Sequence, residues 1–159
     1  MPMEVLDDVK LGKLMKTSGA RQACLLGGGM VRVRWIEGIR GAVHGLTKNM
    51  FAALRYNPAL ALGMSAAIFC MGVWPALGIF AGPAGARLLC AGTIACMIWS
   101  TRGGAQVTGL KPYHALAYPL SSAVLIYIVL RSMTRTYMQG GIVWRGTHYP
   151  LRELRKGLI

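Results

Sequence analysis

Two of the five acidic residues in this chain of 159 stand side by side, Asp7 and Asp8, and they form its only carboxylate pair. A carboxylate held within hydrogen-bond reach of a hydroxyl is the commonest requirement of general-base chemistry. At the start of a short helix the same two acids also simply favour the positive end of the helix dipole. A second group is Arg34-Trp35, a guanidinium that matches phosphate geometry beside an aromatic wall. A third lies near the end, where Arg145 and His148 are placed to reach a phosphorylated ligand. Trp144 and Tyr149 around them read equally well as aromatics at a membrane boundary. The triplet Gly27-Gly28-Gly29 lacks the GK[ST] ending of a phosphate loop, so a closely approached turn is the simpler account. Cys24, Cys70, Cys90 and Cys96 show no CxxC spacing, and neither a disulfide nor a metal site is expected from them.

The elements that must position these residues are dominated by apolar runs. The chain is 54% hydrophobic with a formal net charge of +13, and its mean hydropathy is +0.45. A soluble domain of this length is not normally so apolar. Three runs stand out, Ala59 to Ala81, Ala84 to Ser100 and Ala115 to Leu130. Each suits a bilayer core of about 30 Å at about 1.5 Å per helical residue. No acidic residue lies within or between them, which removes the usual signature of an ion relay. The basic residues gather in the flanks, where they would meet anionic headgroups. They are not woven through a soluble fold with aromatic platforms, so nucleic acid is not an expected partner. The first run begins too late for a signal peptide.

Along the chain, Glu4 to Lys16 has the spacing of a short helix, with Ser18-Gly19 as its stop. Ala23 to Trp35 alternates like strand. Over 36–57, Ile36, Ile39, Val43, Leu46, Met50 and Leu54 recur at steps of three and four. Arg40, His44, Lys48 and Arg55 lie off that stripe. A basic amphipathic helix just before a span fits the membrane interface, breaking near Asn57-Pro58. Residues 58–135 form the transmembrane region, with Trp74-Pro75 as a kink signal, Gly82-Pro83 as a turn and a polar linker over 101–112. Residues 136–159 form a basic tail.

The charge asymmetry places both flanks in the cytoplasm by the positive-inside rule, whereas three full crossings place them on opposite sides. Either one run is re-entrant or interfacial, or the tail lies outside. An inner-membrane, multi-pass protein with a cytoplasmic N-terminal segment is the expectation.

Several stretches in order resemble membrane-bound family-2 glycosyltransferases, in particular the branch that glycosylates lipids and carotenoids. Leu6-Asp7-Asp8-Val9-Lys10-Leu11-Gly12 is similar to the family's acidic pair followed by LG. Val31-Arg32-Val33-Arg34-Trp35 stands where the family carries Q/R-x-x-R-W; Arg34 and Trp35 match, and Val31 departs. Gly45-Leu46-Thr47-Lys48-Asn49-Met50-Phe51-Ala52 resembles the amphipathic segment before the family's C-terminal spans. Trp144-Arg145-Gly146-Thr147-His148-Tyr149-Pro150-Leu151 resembles its W-R-G-x-x-Y-x-L close.

The resemblance implies a mainly α, helical membrane protein. Three apolar hairpin-connected spans follow an amphipathic interfacial helix, and residues 1–35 are a small α/β remnant of a GT-A catalytic domain. It implies Asp8 as catalytic base, with Asp7, Arg34, Trp35 and Arg145 at the substrate and diphosphate site. It also implies a nucleotide sugar, a divalent cation (Mg or Mn) and a lipid acceptor for the complete enzyme. The family's D-x-D motif, which precedes the acidic pair, does not occur in this sequence. Hence the chain holds no cofactor of its own, and the expectation is a C-terminal portion inactive alone, from a truncated gene, an internal start or a split enzyme whose GT-A half is a separate chain. The alternative is a small polytopic membrane interaction protein without chemistry.

Overall fold

The computed structural model describes residues 7–23, 36–109, 111–144 and 146–156, and they are mainly helical. The strand expected over 23–35 and the start of the first helix fall outside the described residues. Helix α1 runs Asp7–Thr17. It closes as its sequence predicts: Gly19 takes φ +80°, and Ala20 N–H donates to Met15 O at 3.0 Å while Gly19 N–H donates to Lys16 O at 3.2 Å. Those two bonds are the Schellman pattern, which satisfies carbonyls that a helix end leaves orphaned.

The chain divides into two compact units, Met1–Pro58 with Arg131–Ile159, and Ala59–Leu130. In the first, helix α2 (Gly38–Ala53) packs a face that differs from its apolar stripe. Thr47, Phe51 and Ala52 are buried, whereas Ile39 is 61% exposed. Thr47 and Phe51 are offset by one helical step from the stripe, so the contact with the protein takes one edge and leaves apolar surface beside it. The helix ends earlier than Asn57-Pro58 requires. Tyr56 N–H donates to Phe51 O and Arg55 N–H to Ala52 O, both at 2.9 Å. This is a second Schellman closure, made without glycine: Arg55 and Tyr56 have φ of +55° and +52°. Left-handed backbone at a residue with a Cβ costs about 1–2 kcal/mol. The usual hydrophobic contact of the motif is present, with the Tyr56 ring edge-on to Phe51 at 5.7 Å.

The C-terminal part of this unit is a two-residue hairpin, β1 (Gly141–Trp144) and β2 (Thr147–Pro150), followed by α7 (Leu151–Lys156). The strands are antiparallel in the register Ile142↔Tyr149 and Val143↔His148. They are the only strands among the described residues. Gly146, at φ +82°, supplies the turn, and Leu154 of α7 is buried beneath.

The second unit holds most of the apolar helices, the third of which continues past Leu130 into the first unit. Three helices are long and apolar enough to cross a membrane, Pro58–Gly78, Ala84–Arg102 and Tyr113–Met138. The first is α3 (Pro58–Ile68), a π-helical segment Phe69–Val73, and α4 (Trp74–Gly78). Pro75 has no N–H and its ring crowds the carbonyl four residues back; the widened π turn upstream absorbs that clash without ending the helix. Helix α5 runs Ala84–Thr108, so most of the expected polar linker is helical. No proline interrupts Trp99 to Thr108, and the stop comes at Gly109, φ +69°. A 3₁₀ segment Pro112–Ala117 leads into α6 (Tyr118–Met138). In the apolar window of α5 only 6% of residues are buried. Leu88, Leu89 and Trp99 point outward, as side chains facing hydrocarbon would.

Gly72, in the π turn, lies so close to Ser122 that a Cβ there would stand 2.1 Å from Ser122 Oγ and 2.6 Å from its Cβ. Small residues at such crossings let helix backbones approach. Gly72→Ala is therefore expected to destabilise the detergent-solubilised protein by about 1–3 kcal/mol. Because the alanine would meet both Ser122 atoms, Ser122→Ala should not rescue it and Ser122→Gly should. Equal melting of Gly72→Ala and wild type would remove the close approach.

Candidate functional site

The acidic pair opens α1, Asp7 and Asp8 being its first two residues. Arg34, Trp35 and Arg145 lie outside the described residues, so these five are not shown brought together. Two other stretches of the resemblance belong to one unit. Gly45–Ala52 lies within α2, and 144–151 makes the end of β1, all of β2 and the first residue of α7.

What joins α2 to α6 is a serine hydroxyl. Ser132, 1% exposed, accepts a hydrogen bond from Phe51 N–H at 3.0 Å and donates one to Thr47 O. Thr47 O and Phe51 N–H are the two ends of a single i, i+4 helical pair. One hydroxyl thus engages both halves of a turn in the neighbouring helix, which only a group that donates and accepts can do. An aromatic cluster extends the joint: Phe51 sits 5.6 Å from the Tyr137 ring. Arg155 of α7 then donates from one Nη2 to Tyr56 O at 2.9 Å and to the Tyr137 hydroxyl at 3.1 Å. The cation therefore anchors the left-handed turn after α2 to both α6 and α7.

Beside this joint is a cavity of about 430 Å³ between α2, the end of α6 and β1. His44 and Lys48 face it from α2, Arg135 from α6 and Gln139 from the turn just after it, each pair four residues apart. These four are exposed, while Thr47, Thr136, Gly141 and Ile142 below them are buried. Among the described residues no carboxylate lines the cavity. Thr47 and Thr136 spend their hydroxyl hydrogens on Val43 O at 2.5 Å and Ser132 O at 2.8 Å. Gly141 is held to glycine by the hairpin, since a Cβ would lie 2.0 Å from Tyr149 O. His148 Nε2 donates to Gln139 O at 2.9 Å, since a carbonyl only accepts. That bond ties the hairpin to the end of α6.

Periodicity alone gives His44 and Lys48 as an outward polar face. The signal that marks them is the return of Arg135 and Gln139 at the same spacing at the end of α6 and just beyond it, with threonines beside each pair. Among the described residues no three His, Cys, Asp or Glu side chains assemble as a metal site. They do not fit the divalent cation that the resemblance implies.

Ser132→Ala is expected to lower stability by about 1–2 kcal/mol, read as an earlier thermal midpoint in detergent, and Arg155→Ala by about 1 kcal/mol because its bonds are partly exposed. The two should be less than additive, since both act on the Phe51–Tyr56 turn. An unchanged midpoint for Ser132→Ala would remove the hydroxyl from its joining role.

No protein-family model, curated protein or solved structure matches this chain.

Proposed function

We propose that this chain is the membrane-embedded C-terminal portion of an inverting glycosyltransferase, which moves a sugar from a nucleotide-sugar donor to a lipid acceptor at the cytoplasmic face of the inner membrane. The observation that carries the reading is the order of four sequence stretches around the apolar helices, from Asp7-Asp8 through Arg34-Trp35 and 45–52 to 144–151. Two features of the structure support it. Three helices long and apolar enough to cross a membrane would give access to a bilayer-borne acceptor. The 45–52 and 144–151 segments belong to one compact unit.

In this reading Asp8 takes the proton of the acceptor hydroxyl as its oxygen attacks the anomeric carbon. The bond from that carbon to the nucleoside diphosphate breaks on the opposite face, which inverts the configuration. Arg34 and Arg145 offset the charge that gathers on the departing diphosphate, with Asp7 and Trp35 lining the substrate site. The divalent cation would be held by the donor-binding half, supplied by preceding sequence or by a partner chain, and without that half the chain transfers nothing. A non-catalytic membrane interaction protein accounts for the helices and the charge but leaves the order of the four stretches without a cause.

The test is reconstitution. The coding sequence upstream of the Met1 codon, or a neighbouring gene, is expected to encode a strand-rich half with a D-x-D motif. The completed enzyme should then glycosylate a lipid, and Asp8→Asn should reduce turnover by about 10²–10⁴-fold at an unchanged melting temperature. Absence of such a half, or full turnover in the variant, would count against the assignment.

A further inference from the structure

The cavity between α2, α6 and β1 has a chemistry of its own. Its rim carries Lys48, Arg135 and His44, and no carboxylate is among its described lining residues. At about 430 Å³ it has room for a phosphate ester with part of its alcohol. Arginine presents a planar fork that fits two phosphate oxygens, and lysine adds a point charge. Gln139 contributes an amide donor on the same side as Arg135. Lys48 and His44 come from one helix and Arg135 from another, and Ser132 fixes those helices against each other. The charges are therefore preorganised rather than scattered along a flexible tail.

The place of the cavity along the chain also matters. Arg135 lies five residues beyond Leu130, where the last apolar run stops. Lys48 lies ten residues before Pro58, where the first apolar helix begins. Both cations thus flank hydrophobic stretches along the chain, the sequence position at which basic residues commonly meet anionic headgroups.

We propose that this cavity is a phosphate-binding site formed by Lys48, Arg135 and His44, and that it takes the phosphate of an anionic phospholipid headgroup or of a soluble phosphate ester. The assignment rests on the cavity alone and stands or falls apart from the glycosyltransferase reading.

The test uses the full chain in two arms. In the first, the protein is placed in nanodiscs of phosphatidylcholine with or without phosphatidylglycerol, and lipids that remain bound after transfer to detergent are counted by native mass spectrometry. In the second, inorganic phosphate and pyrophosphate are titrated into the detergent-solubilised protein by calorimetry. The variant is Lys48→Gln with Arg135→Gln, both exposed positions outside the Ser132 joint. Arg152→Gln, an exposed cation on α7 that does not line the cavity, controls for net charge. Lys48→Arg, which keeps the charge, controls for folding and should bind like wild type.

The expected result is a loss of about tenfold or more in the double variant, with little change in Arg152→Gln. A loss confined to phosphatidylglycerol assigns the cavity to a headgroup, and a loss confined to phosphate or pyrophosphate assigns it to a soluble ester. Equal binding by the double variant and wild type, or an equal fall in Arg152→Gln, would overturn the proposal.

Discussion

The buried hydroxyl of Ser132 is the contact on which the arrangement around α2 depends. Backbone groups inside a helix are normally paired within it, so a neighbouring helix has few polar handles to grip. Ser132 finds one by addressing Thr47 O and Phe51 N–H together. The grip sets the face of α2 that meets α6, which puts Phe51 against Tyr137 and turns Tyr56 inward. The turn that follows then carries two residues in left-handed backbone. Arg155, ninety-nine residues away from Tyr56, bonds its carbonyl. The cavity with its basic rim is the space left beside this joint.

Parts of this were open to a reader of the sequence. Hydrophobic length gave the existence and the starts of the three apolar helices, because a bilayer-length run has few other uses, but α5 and α6 run eight residues past the ends of their apolar runs. Gly19 was legible as a stop because only a residue without a Cβ enters left-handed backbone without strain. The end of α2 was not legible for the same reason, since Arg55 and Tyr56 are not residues that announce such a turn, and the burial of Tyr56 outweighs their preference. The extension of α5 to Thr108 was hidden by polar composition, which says where hydrocarbon ends but not where a helix ends. The hairpin was hidden within what read as a basic tail, and the turn that pairs its strands is at Gly146.

The chemistry divides differently. The residues singled out by type, Asp8, Arg34, Trp35 and Arg145, carry meaning through their order along the chain and their resemblance to a family of transferases. The residues singled out by geometry, Lys48, Arg135 and His44, carry meaning through a shared cavity. Side chains far apart in sequence announce a common site only when the fold between them is known. The α2 stripe read as a membrane-facing surface is compatible with the observed packing, because Thr47 and Phe51 take its edge and Ile39 remains uncovered.

The membrane reading, and with it the glycosyltransferase proposal, depends on the three apolar helices lying in a bilayer. Nitroxide collision accessibility in proteoliposomes measures this directly. Cys70 and Cys96 are exposed near the middle of the first two apolar helices and serve as native labelling sites, with Ala123→Cys for the third and Lys48→Cys for the surface, in a background without Cys24 and Cys90. The account predicts that oxygen, but not a water-soluble nickel chelate, reaches the three helix labels, and that the chelate reaches position 48. Free access of the chelate to any of the three helix labels would contradict it.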